Sequence, residues 1–187
     1  MRLFIAIKIP EDIRAGIASQ LKKFRAISPH AKWVRPENLH LTLKFLGEAD
    51  QTKLGEVQSE LASVRSAQPV TLEFQGLGFF PNPKRPHVFW AGIQGSSNLA
   101  SIAHTIDQAM GALGFPREDR VFAPHLTLAR FTQPSLPPGL RTPVEQNITR
   151  SFGSFTTREF HLIESKLKSA GAAYTTLRTF QFVTNNK

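Results

Sequence analysis

The chain has 187 residues, 41% hydrophobic and 20% charged, which is enough for one sizeable core and short of several independent domains. Cysteine is absent, so disulfides, thiolate metal sites and a cysteine nucleophile are excluded. Lys plus Arg outnumber Asp plus Glu by 23 to 14, a formal charge of +9, and that excess favours phosphate-rich partners.

The elements follow in chain order. RLFIAIKI near the start alternates large apolar with smaller or polar residues and reads as a strand ended by Pro10. Its apolar run is broken by Lys8 and followed by acids, unlike a secretory signal. No later stretch reaches the roughly 18 apolar residues of a membrane span, so the expected location is the cytoplasm. A helix is predicted over 11–24 from Ile13, Ile17, Leu21 and Phe24, then a short strand at Trp33 and Val34 before the Pro36 turn. LHLTLKFLG is a strand closed by Gly47, and Asp50 or Thr52 caps a second helix marked by Leu54, Val57, Leu61 and Val64.

Strands VTLEF and HVFWAGI are joined by GLGFFPNPKRP, which reads as a turn-rich connection carrying exposed aromatics. A third helix, SSNLASIAHTIDQAMGALG, closes at Gly114. Beyond it come strand PHLTLARF, a Pro-rich and partly helical segment through Asn147, and strands near 153–155, 159–164 and 174–183. The pattern predicts a single α+β unit over 1–187 with helices packed on largely antiparallel sheets, built as two related lobes.

The repeated HLTL, at His40–Leu43 and again at His125–Leu128, is the feature that points to chemistry. In a strand, His40, Thr42 and Lys44 share one face and the leucines the other, and His125 and Thr127 repeat the arrangement. Within each copy the His and Thr are about 6.5 Å apart, close enough to touch one tetrahedral anion. In-line displacement at phosphorus needs a base on the entering oxygen and an acid on the leaving one, and two imidazoles supply both near neutral pH. Threonine hydroxyls can donate to the non-bridging oxygens, and no metal or other cofactor is then required. Two histidines without carboxylate or cysteine neighbours do not complete a zinc site, and neither a G-x-S-x-G elbow nor a P-loop is present.

Two H-x-T-x motifs, with MRLFIAIKIP, WVRPENLHLTLKFLGE, GLGFFPNPKRPHVFWAGI, FAPHLTLAR and ESKLKSAGAAYTTLRTF in that order, resemble the RNA 2',3'-cyclic phosphodiesterases, also called 2'-5' RNA ligases, of the two-histidine (2H) phosphoesterase superfamily. The likeness spans nearly the whole chain. It implies two antiparallel-sheet lobes with helices outside, pseudo-twofold related around a central cleft, and opening of a terminal 2',3'-cyclic phosphate on RNA to a 2'-phosphate. It further implies that His40 is the proton donor to the leaving 3'-oxygen, that His125 is the proton acceptor from water, and that Thr42 and Thr127 hold the phosphate. RNA with cyclic phosphate ends, tRNA fragments among them, is the expected partner. The expected oligomeric state is a monomer.

Arg130 could add a bidentate phosphate contact, although strict alternation puts it on the leucine face. Lys44 has the better facing. Phe79, Phe80 and Trp33 lie in or beside predicted turns, where an aromatic could stack on a base. Ser165 and Lys166 match a segment of the family without an assigned role. His30, His87, His104 and His161 read as structural, with His104 on a helix surface. Two other functions stay open: 2'-5' ligation in the same cleft, with a ribose hydroxyl replacing water, and a non-catalytic RNA-binding module using the basic surface.

Overall fold

The computed structural model describes residues 1–133, 135–169 and 171–182. Nine strands alternate with short helices, and every strand pairing is antiparallel. They are β1 (Arg2–Lys8), β2 (Lys32–Trp33), β3 (His40–Glu48), β4 (Val70–Phe80), β5 (Val88–Gly95), β6 (His125–Arg130), β7 (Ser151–Thr157), β8 (Glu159–Lys168) and β9 (Gly171–Gln181). The sheet runs β7-β4-β5-β6-β3-β1-β8-β9, with β2 pairing β6 off that path. It curls into a half-barrel. The expected strand end at Val183 lies outside the described residues.

The order divides the sheet into two four-stranded halves, β1-β3-β8-β9 and β4-β5-β6-β7, which meet where β3 touches β6. That seam is narrow, with Leu41 opposite Leu126 as its register pair. The helices are exchanged between the halves. Helix α1 (Glu11–Gln20) leaves β1 but packs on β7, and α2 (Lys22–Ile27) sends Phe24 onto Phe89 of β5, ring centroids 5.8 Å apart. Helix α3 (Leu54–Leu61) packs on α4 (Asn98–Ala112), which leaves β5 and lies against β3. This exchange welds the halves into one core, in which Ile5, Ile17, Val57, Phe74, Phe89, Ile106, Leu126 and Phe160 are all fully buried.

The helix expected over 11–24 is two helices, bent at Leu21, and the bend lets Leu21 and Phe24 both enter the core. The expected cap of the second helix is present as the Asp50 side chain accepting from the Thr52 amide, ahead of one 3-10 turn and then α3. The third helix ends at Gly114, whose φ of +88° suits a residue without a side chain. A fifth helix, α5 (Arg141–Glu145), lies in the Pro-rich segment.

GLGFF, expected as part of a turn-rich connection, is instead the second half of β4. Gly76 has φ +77° and sits at a register shift against the backbone of Ile148, while Gly78 lies under the Trp90 ring of β5, which leaves no room for a Cβ. The glycines that looked like turn residues are there for a bulge and a close ring contact.

Candidate active site

Antiparallel pairing of Leu41 with Leu126 sets His40 across from Thr127 and Thr42 across from His125. The two motifs therefore sit side by side in one sheet at its seam, not on opposite walls of a cleft. The leucines between them point into the core, Leu41 1% and Leu126 0% exposed, so both His and both Thr are turned to the concave face. All four are half-buried.

Each imidazole is oriented by the chain two residues before it. His40 Nδ1 lies 2.7 Å from the Asn38 carbonyl, and His125 Nδ1 lies 2.8 Å from the Ala123 carbonyl. A carbonyl can only accept, so Nδ1 carries the hydrogen in both rings and Nε2 is the nitrogen that can accept a proton. The twofold likeness thus extends to the bond that fixes the tautomer.

Both motif strands carry the same irregularity one residue after the Thr. Along β6 the pairing steps from Ala129 to Thr127 while β5 advances by one, so Leu128 is an extra residue; along β3 it steps from Lys44 to Thr42, so Leu43 is extra. The bulges reset the alternation and correct two expectations. Arg130 returns to the His and Thr face, exposed, and its positive charge is felt at both His40 and Tyr174. Lys44 turns away from the site and is buried at 7% exposure, donating from Nζ to Asp107 of α4 at 2.6 Å and to the Pro116 carbonyl at 2.7 Å. Phe45 takes the position in the first strand that Arg130 holds in the second, and it is 62% exposed.

The surroundings of the two histidines differ. His40 is packed by Phe4 at 4.7 Å and by the edge of Tyr174 at 5.3 Å, centroid to centroid. Burial lowers the His40 pKa, the Asn38 carbonyl pulls it back up, and the charges of Arg130 and His125 lower it further. Burial raises the Tyr174 pKa, against the opposing pull of Arg130 and Arg2. His125 has one ring neighbour, Phe80, edge-on at 4.9 Å, with Trp90 behind it.

Phe80 is thus beside the motif. The other two aromatic candidates are not: Phe79 is stacked on Phe89 in the core, and Trp33 donates from Nε1 to the Ser28 carbonyl and meets Phe89 edge-on. Ser165 is paired with Arg2 and Tyr174 across β8, and Lys166 reaches Glu164 at 3.2 Å. His30, His87 and His104 are exposed. His161 is buried on β8 beside Ala6 of β1, and burial with the nearby Lys8 charge pushes its pKa down to about 4 against the pull of Glu159. Tyr174 and Phe4 were missed from sequence because their place beside His40 depends on β1, β3, β8 and β9 being neighbours, which no local pattern encodes. Among the described residues no three His, Cys, Asp or Glu side chains are grouped as metal ligands.

The duplication is visible in a family comparison as well. The family model described as LigT-like phosphoesterase matches residues 7–90 and 93–174, one HLTL in each stretch. The chain belongs to the LigT-like phosphoesterase family. It is 37% identical to the RNA 2',3'-cyclic phosphodiesterase of Archaeoglobus fulgidus, over 97% of this chain and 100% of that one. Against the protein of the same name from Methanocaldococcus jannaschii it is 36% identical, over 95% and 99%. Among solved structures, a crystal structure from Thermus thermophilus superposes with a TM-score of 0.80 at 31% identity, covering 97% of this chain and 98% of that one. The E. coli LigT complex with 3'-AMP superposes with a TM-score of 0.74 at 29% identity, covering 97% of both. The LigT-like chain is an enzyme of the phosphodiesterase class.

Proposed function

We propose that this LigT-like enzyme hydrolyses the terminal 2',3'-cyclic phosphate of RNA to a 2'-phosphate, using His40 as general acid and His125 as general base without a metal. The observation that carries the reading is the register at the seam: two imidazoles with matched tautomers, each held through Nδ1 by a backbone carbonyl, alternate with two threonines across one strand pair. Relatives named RNA 2',3'-cyclic phosphodiesterase support the substrate class, and LigT structures complexed with phosphate and with 3'-AMP support a nucleotide phosphate in this fold. Residues 1–187 act as one unit, since each half supplies one histidine.

The chemistry needs two proton transfers on opposite sides of phosphorus. His125 Nε2 takes the proton of the entering water, the P–O3' bond breaks, and His40 Nε2 gives its proton to O3', leaving the phosphate on O2'. Thr42 and Thr127 donate to the non-bridging oxygens, and the Arg130 guanidinium balances the charge that develops there. Burial and nearby positive charges hold the His40 pKa down in the free protein, and the anionic phosphate, replacing a net positive field, lifts it and loads the acid as substrate binds.

Water is one nucleophile; the 5'-hydroxyl of a second RNA is the other. The test is hydrolysis of an oligonucleotide ending in a 2',3'-cyclic phosphate, in EDTA, with identification of the product isomer. A 2'-phosphate from wild type, lost in both His40→Ala and His125→Ala while RNA binding persists, is the expected result. Turnover unchanged in both variants returns the chain to an RNA-binding role.

A further inference from the structure

A groove of about 910 Å3 runs beside His125, Phe80 and Phe45. A separate pocket of about 420 Å3 lies where β7 turns into β8, and its polar lining is Lys8, Thr156, Thr157, Glu159, His161 and Thr179. Neither His40 nor Tyr174 lines it. The pocket originates in a break in strand pairing. From Arg2 opposite Ser165 to Ala6 opposite His161, β1 and β8 are in register, and there the ladder stops. One more step would set Lys8 against Glu159; instead the strands part, and both residues line the gap.

Two groups on its wall carry chemistry that the chain itself does not use. Lys8 is exposed, and its ammonium makes no hydrogen bond or ion pair among the described residues. His161 is 5% exposed, and its Nδ1 has no hydrogen-bond partner among the described residues, although buried polar atoms are nearly always paired. Its Nε2 stands 3.8 Å from Glu159 Oε1, beyond hydrogen-bond distance, while Glu159 Oε2 accepts from Gln181 at 2.6 Å. Thr179, opposite His161 on β9, adds an exposed hydroxyl. The pocket therefore offers a cation, a hydroxyl and an imidazole to an anion. With an anion present, the Lys8 charge that disfavours a protonated His161 is neutralised, and the ring becomes a further donor.

Position decides which anion this is. Lys8 is the register partner of His40, and His161 ends the cross-strand row Thr42, Ala6, His161 on the same face of the sheet. His161 is thus two strands, about 10 Å, from Thr42. Resting on the acid and base roles proposed above, O3' leaves toward His40, so the terminal ribose lies over this half, and the RNA continues from its 5'-oxygen. The His40 ring is itself walled by Phe4 and Tyr174, which leaves Lys8 as the next cation along β1. We infer that the pocket between Lys8 and His161 binds the phosphate that links the terminal nucleotide to the one before it. Lys8 supplies the charge, and Thr179 and His161 supply hydrogen bonds. The subsite makes the enzyme favour an RNA end over a lone cyclic nucleotide.

The experiment compares two oligonucleotides ending in a 2',3'-cyclic phosphate, identical except that the last internucleotide linkage is a phosphodiester in one and an uncharged methylphosphonate in the other. Hydrolysis of each is measured for wild type and Lys8→Gln. Lys8 is exposed, so the substitution spares the core. In wild type the charged linkage is expected to raise kcat/KM about tenfold, the scale of a hydrogen bond to a charged group, and in Lys8→Gln the two substrates are expected to differ by less than about twofold. Equal turnover of the two substrates by wild type, or the same preference in wild type and Lys8→Gln, overturns the subsite. Failure of wild type to hydrolyse the ordinary oligonucleotide at all overturns instead the proposed function on which the subsite rests.

Discussion

The two halves of the sheet carry the same four residues, the same bulge and the same carbonyl hold on Nδ1, yet they enclose their histidines differently. His40 is closed in by Phe4 and Tyr174 and faces the Arg130 guanidinium, whereas His125 has Phe80 on one side and an open groove on the other. At the residue after each bulge pair, one strand has Arg130 and the other Phe45. The two halves present a symmetric pair of imidazoles, and divergence one step away leaves one enclosed and the other open, the asymmetry on which the proposed acid and base roles rest. A phosphodiester displacement is itself asymmetric, and the proposed mechanism uses this asymmetry of the site.

Removing one histidine at a time separates the two halves most sharply. His40→Ala and His125→Ala are each expected to lower kcat on a cyclic-phosphate RNA by about 10³-fold or more, within the range of about 10²–10⁴ for a general acid or base plus the loss of its partner's alignment, with Kd for RNA moved far less. Steady-state kinetics and a binding titration read this out. A loss confined to one variant would mean that a single half carries both proton transfers.

Arg130→Gln is expected to cost about 10²-fold in kcat, on the scale of one preorganised donor to a developing charge. The same change lifts the His40 pKa toward its ordinary value, because a positive charge beside the ring is gone. An NMR titration of the His40 ring checks the second effect independently of activity. Thr42→Val and Thr127→Val, which keep shape and remove one hydroxyl donor each, are expected to cost about tenfold apiece.

The smallest expected effect is a pH shift. With His40 required in its protonated form, activity falls as pH rises through the His40 pKa, and that pKa is depressed in the free protein by burial and by Arg130 and His125. The alkaline limb of kcat/KM, which reports the free enzyme, should therefore lie at lower pH than the alkaline limb of kcat, where the bound phosphate raises the same group. Coincident limbs would mean that the phosphate does not sit against His40.

Much of this was legible in the chain. The α+β character, the three principal helices and both HLTL strands follow from periodicity and from Gly and Pro punctuation, because those signals are local. What local reading missed came from bulges and from sheet order. Strict alternation sends Arg130 to the core side and Lys44 to the site; one extra residue after each motif reverses both, and a bulge leaves no mark in HLTLKF or HLTLAR. Lys44 instead joins Asp107, whose carboxyl is held at about 2 because the Lys44 and Arg117 contacts outweigh the cost of burial. Tyr174 comes from β9, at the far edge of its half, and reaches His40 only through the curl of the sheet. GLGFF misled because glycine serves a bulge and a close ring contact as readily as a turn.

The most direct test of the division of labour is to make the leaving group independent of acid catalysis. A 2',3'-cyclic substrate with sulfur in place of the bridging 3'-oxygen expels a thiolate, which needs little protonation, so turnover is compared for wild type, His40→Ala and His125→Ala in EDTA. Sulfur is expected to restore most of the activity of His40→Ala and little of that of His125→Ala. Restoration of His125→Ala instead, or of neither, would contradict the assignment of acid to the enclosed half and base to the open one.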